Sequence, residues 1–196
     1  MRALILRFDS WLSRREGIFE FTRAQDCLLR LQIARASRRT VFSEADIGAG
    51  EGVLAIHLWN DHIPPLPSGM WDLAWAARTG HLFVRSLHAA GEYVRGRPDL
   101  ARLRAVRGTT AIFSPFDPAG GAKLMRRLGF AVLPYASPLG RFGEFWENFY
   151  SWWIIWAYNP AALRGRGWLD LRRSDLWMPM GEFLRRYGKR GTEPSG

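Results

Sequence analysis

Apolar and polar positions alternate with different periods along the chain, and those periods predict its elements. In residues 4–16, Leu4, Phe8, Trp11 and Leu12 fall at helical spacing, with Arg7, Arg14, Arg15 and Glu16 between them, which predicts an amphipathic helix. From Cys27 to Ala36, Leu29, Leu31 and Ile33 alternate with Arg30, Gln32 and Ala34, the period-two pattern of a strand buried on one face. Thr40–Ser43 reads as a second, shorter strand. Gly48, Gly50 and Gly52 then turn the chain into a third, Val53–Trp59, and the three together predict an antiparallel meander.

Ile63 to Gly69 must be loop, because Pro64, Pro65 and Pro67 remove donors and fix φ, and Ser68 can cap the next helix. That helix is expected over residues 70–95, burying Trp71, Trp75, Leu82, Phe83, Leu87 and Val94, and Gly96, Pro98 and Asp99 end it. A strand over 104–113, a helix over 119–128 closed by Gly129 and a strand over 130–133 follow. Beyond Pro138 the pattern is helical again over 142–158. An Arg/Gly turn at 164–167, a short segment over 168–177 and a last helix over 180–187 complete the chain, before a polar, Gly-rich tail at 189–196 expected to be disordered. No internal repeat is visible. The reading is one α/β domain over 1–188, with its core at 27–135 and an aromatic helical extension at 140–188.

Composition changes this picture little. With 196 residues, 47% hydrophobic and 23% charged, the chain matches an ordinary globular domain. Area scaling for its mass lets folding bury about 70% of the unfolded surface, so no covalent staple is required. Cys27 is the only cysteine, which excludes an internal disulfide and a cysteine-based zinc cluster. The net charge of +10 invites a polyanion. Only Lys123 and Lys189 of the 28 basic residues are lysines, however, a bias that a GC-rich genome produces without selection for phosphate. Much of the arginine is also interleaved with Glu and Asp on solvated helix faces, and both points argue against nucleic acid as the partner. The opening MRALILRF is interrupted by Arg7 and Asp9 before it reaches the length of an export signal. The most apolar stretch, FWENFYSWWIIWAY, is too short to span a bilayer. A cytoplasmic chain is expected, able to attach peripherally to the inner face of a membrane.

Candidate chemistry gathers at the end of the third strand. Strand alternation puts His57 and Trp59 on one face, while Asn60, Asp61 and His62 enter the loop. A neutral imidazole oriented by an amide or carboxylate can act as a general base, with His57 as the base and Asn60 orienting it or the substrate. The same residues also fit a histidine bonded within the sheet and an Asn-Asp turn. His57, His62, His81 and His88 lack the spacing of a zinc site, so no metal is assigned. Glu44, Asp46 and Glu51 flank glycines and read as turn formers. Ser114, Ser137 and Ser174 lack a nucleophile-elbow pattern. The aromatics Trp146, Phe149, Tyr150, Trp152, Trp153 and Trp156 cover more than one helix face. Trp152, Trp153 and Trp156 are therefore candidates for an acyl-chain or anionic-membrane surface, with Arg164, Arg166, Arg172 and Arg173 nearby; the alternatives are packing against the sheet and a partner-protein groove.

The order of elements, together with LMRRLGFAVLPY at Leu124–Tyr135, resembles the core of the GNAT acyltransferase superfamily over residues 27–135. The resemblance implies a GNAT-like mixed sheet, an antiparallel three-strand meander followed by helix–strand–helix–strand. The segments VLAIHLWND, AVRGTTAIFSP, MRRLGF and LWMPMGEFLRRY are also similar to the bacterial YkoP-like family, whose third strand carries His-Leu-x-Asn, matched by His57, Leu58 and Asn60. That family also occurs fused to polysaccharide deacetylases, which implies an envelope context. Active GNAT enzymes bind the pyrophosphate of coenzyme A on a Gly-rich loop after this strand. NDHIPPLPSGMW stands there instead, leaving Ser68, Gly69 and the backbone that follows as the cofactor-binding candidates. No permanently bound cofactor is implied. The donor implied is an acyl-CoA or an acyl carrier protein, and the latter has no need of a pyrophosphate loop. A non-catalytic membrane or protein adaptor on the same scaffold is the competing expectation.

Overall fold

The computed structural model describes residues 2–42, 45–65, 73–110, 118–135, 137, 140–158 and 173–188. Among these, seven strands and six helices form a mixed α/β fold. The main sheet contains β1 (Leu29–Arg35), β4 (Gly52–Leu58), β5 (Ala105–Thr110), β7 (Ser174–Pro179) and β6 (Ala131–Pro134), in the spatial order β1-β4-β5-β7-β6. β1 is antiparallel to β4, β4 is parallel to β5, and β7 is antiparallel to both β5 and β6. Helix α2 (Leu73–Arg95), followed by the short α3 (Pro98–Ala101), supplies the crossover that a parallel pair requires.

The expected meander does not form. β1 pairs directly with β4, and the pairing continues past Arg35 through Ala36 N–H to Glu51 O (2.9 Å) and Gly50 N–H to Ala36 O (2.8 Å). This closure ejects the residues between as a separate hairpin, β2 (Thr40–Phe42) with β3 (Ala45–Ile47). The hairpin folds over one face of the sheet, where Phe42 and Ile47 are buried with Val53, Ala105 and Trp177. The core is also not confined to 27–135, and the extension at 140–188 is not purely helical. Asp175, Leu176, Trp177 and Met178 are almost fully buried in β7, the strand between β5 and β6.

The opposite face is apolar where the helices cover it. Leu29 and Leu31 of β1, Leu54 and Ile56 of β4, Val106 of β5 and Leu176 and Met178 of β7 pack against Leu87, Ala90 and Val94 of α2 and Phe183 and Tyr187 of α6 (Met180–Tyr187). Gly91 lets the two helices touch, since a Cβ there would lie 2.4 Å from the Tyr187 backbone. Ser86 ties α2 to the start of β1, its Oγ accepting from Leu28 N–H at 2.8 Å. α4 (Pro118–Arg127) ends at Gly129, whose φ of 93° is the left-handed conformation expected there.

Two further helices, α1 (Arg2–Arg15) and α5 (Gly140–Tyr158), cover the rest of the hairpin's face. Asp9 joins them, accepting from Tyr150 Oη at 2.8 Å and from Tyr158 Oη at 3.4 Å. A second cluster anchors α5 to the sheet. Glu147 accepts from Tyr135 Oη (2.5 Å), Ser137 Oγ (2.9 Å) and Arg173 Nη1 (3.2 Å), and Arg173 also bonds Asn148 and Ser151. Burial and the Glu147 carboxylate push the Tyr135 phenol up to about 12. No described helix is long and apolar enough to cross a membrane.

Candidate functional site

The ladder between β4 and β5 runs from Val53–Ala105 to Ile56–Gly108 and ends there, although β4 continues to Leu58 and β5 to Thr110. The parallel strands therefore part at their C-terminal ends, the position where open α/β sheets offer a crevice. Gly108 stands at the fork, and a Cβ on it would press on the Ile56 side chain at 3.0 Å. A cavity of about 260 Å³ opens at this fork beneath α1 and α5, bordered by Arg30, His57, Asn60, Thr109, Asp9 and Tyr150.

Strand alternation explains why the polar groups meet here. Arg30 and Gln32 of β1, His57 of β4, Arg107 and Thr109 of β5 and Asp175 of β7 all point to the hairpin's face, with Arg30 opposite His57 and Thr109 opposite Asp175. Two sets of hydrogen bonds link most of them. His57 Nε2 lies 2.9 Å from Gln32 Oε1, while Gln32 Nε2 donates to the Glu16 carbonyl at 2.7 Å. Because that second bond fixes the amide orientation, Gln32 Oε1 must accept, so His57 carries its proton on Nε2 and keeps its lone pair on Nδ1. Glu16 is within reach because Phe19 bridges to Leu31 along the outer edge of β1. Burial, then Arg30 and Arg107, pushes the His57 imidazole down to about 4, so it is neutral throughout the physiological range.

Asp175 is buried and accepts from Thr109 Oγ1 at 2.8 Å and from Arg107 Nη2 at 3.2 Å. Arg107 also lies over the Trp177 ring, 5.4 Å from its centre. Arg30 stands 4.0 Å from Asp9, too far for a hydrogen bond, and its Nε is buried without a partner. Asp9 is committed to the tyrosines, and burial followed by Asp9 raises the Tyr150 phenol.

Of the residues nominated from sequence, His57 and Asn60 meet at this cavity, with Asn60 in the 3-10 turn Asn60–His62. Asp61 and His62 instead border a second depression beside α2. His62 is structural, since its Nδ1–H donates to the Cys27 carbonyl at 2.8 Å and its ring stacks on Trp59 with centres 3.7 Å apart. Ser68 and Gly69 lie outside the described residues, as do Glu44, Ser114, Arg164, Arg166 and Arg172. Asp46 lies within β3 and pairs with exposed Arg39 instead of forming a turn, whereas Glu51 accepts from Gly48 N–H at 2.6 Å as a turn former does. His88 packs edge-on to Tyr187. Among the described residues, no three His, Cys, Asp or Glu side chains converge as a metal site would need.

The aromatic helix divides into two stretches of different exposure. Trp152, Trp153 and Trp156 are half-buried, Trp153 and Trp156 packing around buried Ile154 and Ala157, whereas Phe142, Phe145 and Trp146 are exposed. Arg173 is taken up by Glu147 and is not left to meet lipid. Asp9, Arg30, Gln32, Tyr150 and Arg107 were not nominated from the sequence as members of this site. For Arg30 and Gln32 the signal was present, since they alternate on the strand face that His57 shares.

Compared with family models, curated proteins and solved structures, the chain has no significant match in any of the three.

Proposed function

We propose that the chain is an acyltransferase-like enzyme that moves an acyl group from a thioester to an amine or hydroxyl, in an envelope lipid or glycan context. The observation that carries this reading is the fork between β4 and β5. Strands that part leave backbone edges facing each other, and an extended, amide-bearing arm such as phosphopantetheine can pair with such edges. The cavity at the fork is sized for a small acyl group and the thioester end of its carrier rather than for a nucleotide. The GNAT-like arrangement is supported by α2 joining the parallel neighbours β4 and β5, and by α4 leading into β6.

The chemistry follows from the charges. His57 Nδ1 takes the proton of the N–H or O–H nucleophile as its lone pair attacks the thioester carbonyl. A tetrahedral oxyanion forms, the C–S bond breaks, and the thiolate leaves and takes up that proton. Arg30 and Arg107 disfavour an isolated imidazolium, yet their field favours the oxyanion that appears as the imidazolium forms. Proton uptake and oxyanion formation therefore support each other. Asn60 orients the acceptor. Pro64 and Pro65 follow β4 where a pyrophosphate loop needs donors, which favours an acyl carrier protein over coenzyme A as donor.

The test is release of free thiol from short- and long-chain acyl thioesters of both carriers, with amine and hydroxyl acceptors. His57→Ala should lower turnover by about 10²–10⁴ with an unchanged fold; full activity in that variant would remove His57 from the mechanism. The same prolines favour a second reading, a binding module without turnover, whose partner binding would survive His57→Ala.

A further inference from the structure

Exposed aromatic side chains occupy one edge of the molecule. Among the described residues every exposed Phe and Trp lies on α1 or α5, with Phe142 69%, Trp146 51% and Trp11 47% accessible, and Phe8 and Phe145 beside them. The rings form a band across both helices. Trp11 meets Phe8 (centres 5.7 Å apart), Phe8 meets Tyr150 (6.2 Å), and one turn earlier on α5 Trp146 meets Phe142 and Phe145 (6.2 and 5.5 Å). Arginine accompanies the band. Arg7, Ser10, Trp11 and Arg14 share one face of α1 and border a shallow depression, and the Arg15 guanidinium lies 5.4 Å from the centre of the Trp11 ring. Among the described residues no carboxylate lies within 4.0 Å of Arg7, Arg14 or Arg15, as is also true of several arginines elsewhere, so what sets this edge apart is the exposed aromatic band beside them.

We propose that this α1–α5 edge docks on an anionic lipid bilayer. Trp and Phe rings rest between headgroup and acyl chain, and unpaired guanidinium groups beside them meet lipid phosphate. Aromatic exposure confined to a flank that also carries guanidinium groups fits this interface, because a bilayer supplies an apolar layer directly beneath a layer of negative charge. Leu12, Ser13, Tyr150 and Ser151 of the same helices border the fork cavity, so docking brings the cavity to the interface. That consequence rests on the acyl-transfer reading; the docking itself does not.

The test is cosedimentation of the full chain with vesicles of mixed phosphatidylglycerol and phosphatidylcholine, and of phosphatidylcholine alone. It needs no acyl donor, so its outcome is independent of turnover. The chain should bind the anionic vesicles and bind the neutral ones much less. Arg7→Gln with Arg14→Gln should weaken anionic binding by about 30-fold. Trp11→Ser with Trp146→Ser should weaken it on the anionic vesicles at least about tenfold and abolish fluorescence quenching by brominated lipid. Ile33→Ser with Val41→Ser, exposed on β1 and β2 and not on α1 or α5, should change nothing. All these positions are on the surface, and circular dichroism verifies that each variant is folded. Failure of the folded chain to bind anionic vesicles, or binding that the aromatic substitutions leave intact, overturns the proposal. So does binding that a DNA duplex competes away equally in wild type and Trp11→Ser/Trp146→Ser, which would make the arginines a general polyanion site.

Discussion

The two faces of the five-stranded sheet use the same strands for opposite purposes. Toward α2 and α6, β1, β4, β5 and β7 present Leu31, Leu54, Ile56, Val106, Leu176 and Met178, all nearly inaccessible and joined in one apolar cluster. On the other face the same strands present Arg30, Gln32, His57, Arg107, Thr109 and Asp175; directed bonds join Gln32 to His57 and Asp175 to Arg107 and Thr109, and Arg30, His57 and Thr109 border a cavity. The first face is held by area and needs only shape. The second holds polar groups away from water and depends on the directed bonds that most of them make. The lesson is that stability and chemistry are separated by the pleat itself, one residue apart along each strand.

That separation can be broken at either face. The largest effect should come from the apolar one, where Phe183→Ala removes a fully buried ring and should cost about 3–5 kcal/mol in denaturant unfolding. Asp175→Ala acts on the polar face by leaving the Arg107 guanidinium with its carboxylate partner gone, and should cost about 3 kcal/mol. An equally large loss from Asp175→Asn would point to the missing charge rather than to lost packing. Acid acts on the same face. The imidazole of His57 titrates at about 4 when folded against 6.5 for an ordinary imidazole, so the unfolded chain binds the proton first. Its contribution is intact above pH 6.5 and declines as pH falls from there to about 4, by at most about 3 kcal/mol. His57→Gln should flatten the pH dependence of the melting temperature in that window. The smallest effect is expected from Tyr150→Phe, which removes one bond to Asp9 and should cost about 1–2 kcal/mol.

The apolar face was legible in the sequence because period-two and helical spacing report burial directly. Leu29, Leu31, Leu87 and Val94 were expected in the core and are there. His57 and Asn60 were also legible, as the densest polar group at a strand end. Their surroundings were not. Alternation placed Arg30 and Gln32 on the non-core face, but periodicity does not say whether that face meets water or another layer. Here α1 and α5 cover it, through Asp9, Tyr150 and Tyr158, whose separation in sequence exceeds any local pattern. The meander failed for a related reason. Thr40–Phe42 has a strand's pattern, but pattern does not choose a partner, and the longer β1–β4 ladder won. β7 was missed because its burial on both faces leaves no alternation, and only its place between β5 and β6 explains SDLWMP.

The most direct test of the central claim, that the fork between β4 and β5 receives an acyl thioester, is a thermal-shift screen of the purified chain against coenzyme A, short- and long-chain acyl thioesters and an acyl carrier protein in its acylated and free forms. A ligand at about 100 times its dissociation constant should add about 2.7 kcal/mol of stability. The account predicts a rise in melting temperature with the thioester-bearing ligands, strongest with the acylated carrier protein. No shift with any thioester would contradict it and leave a sheet whose polar face serves some other purpose.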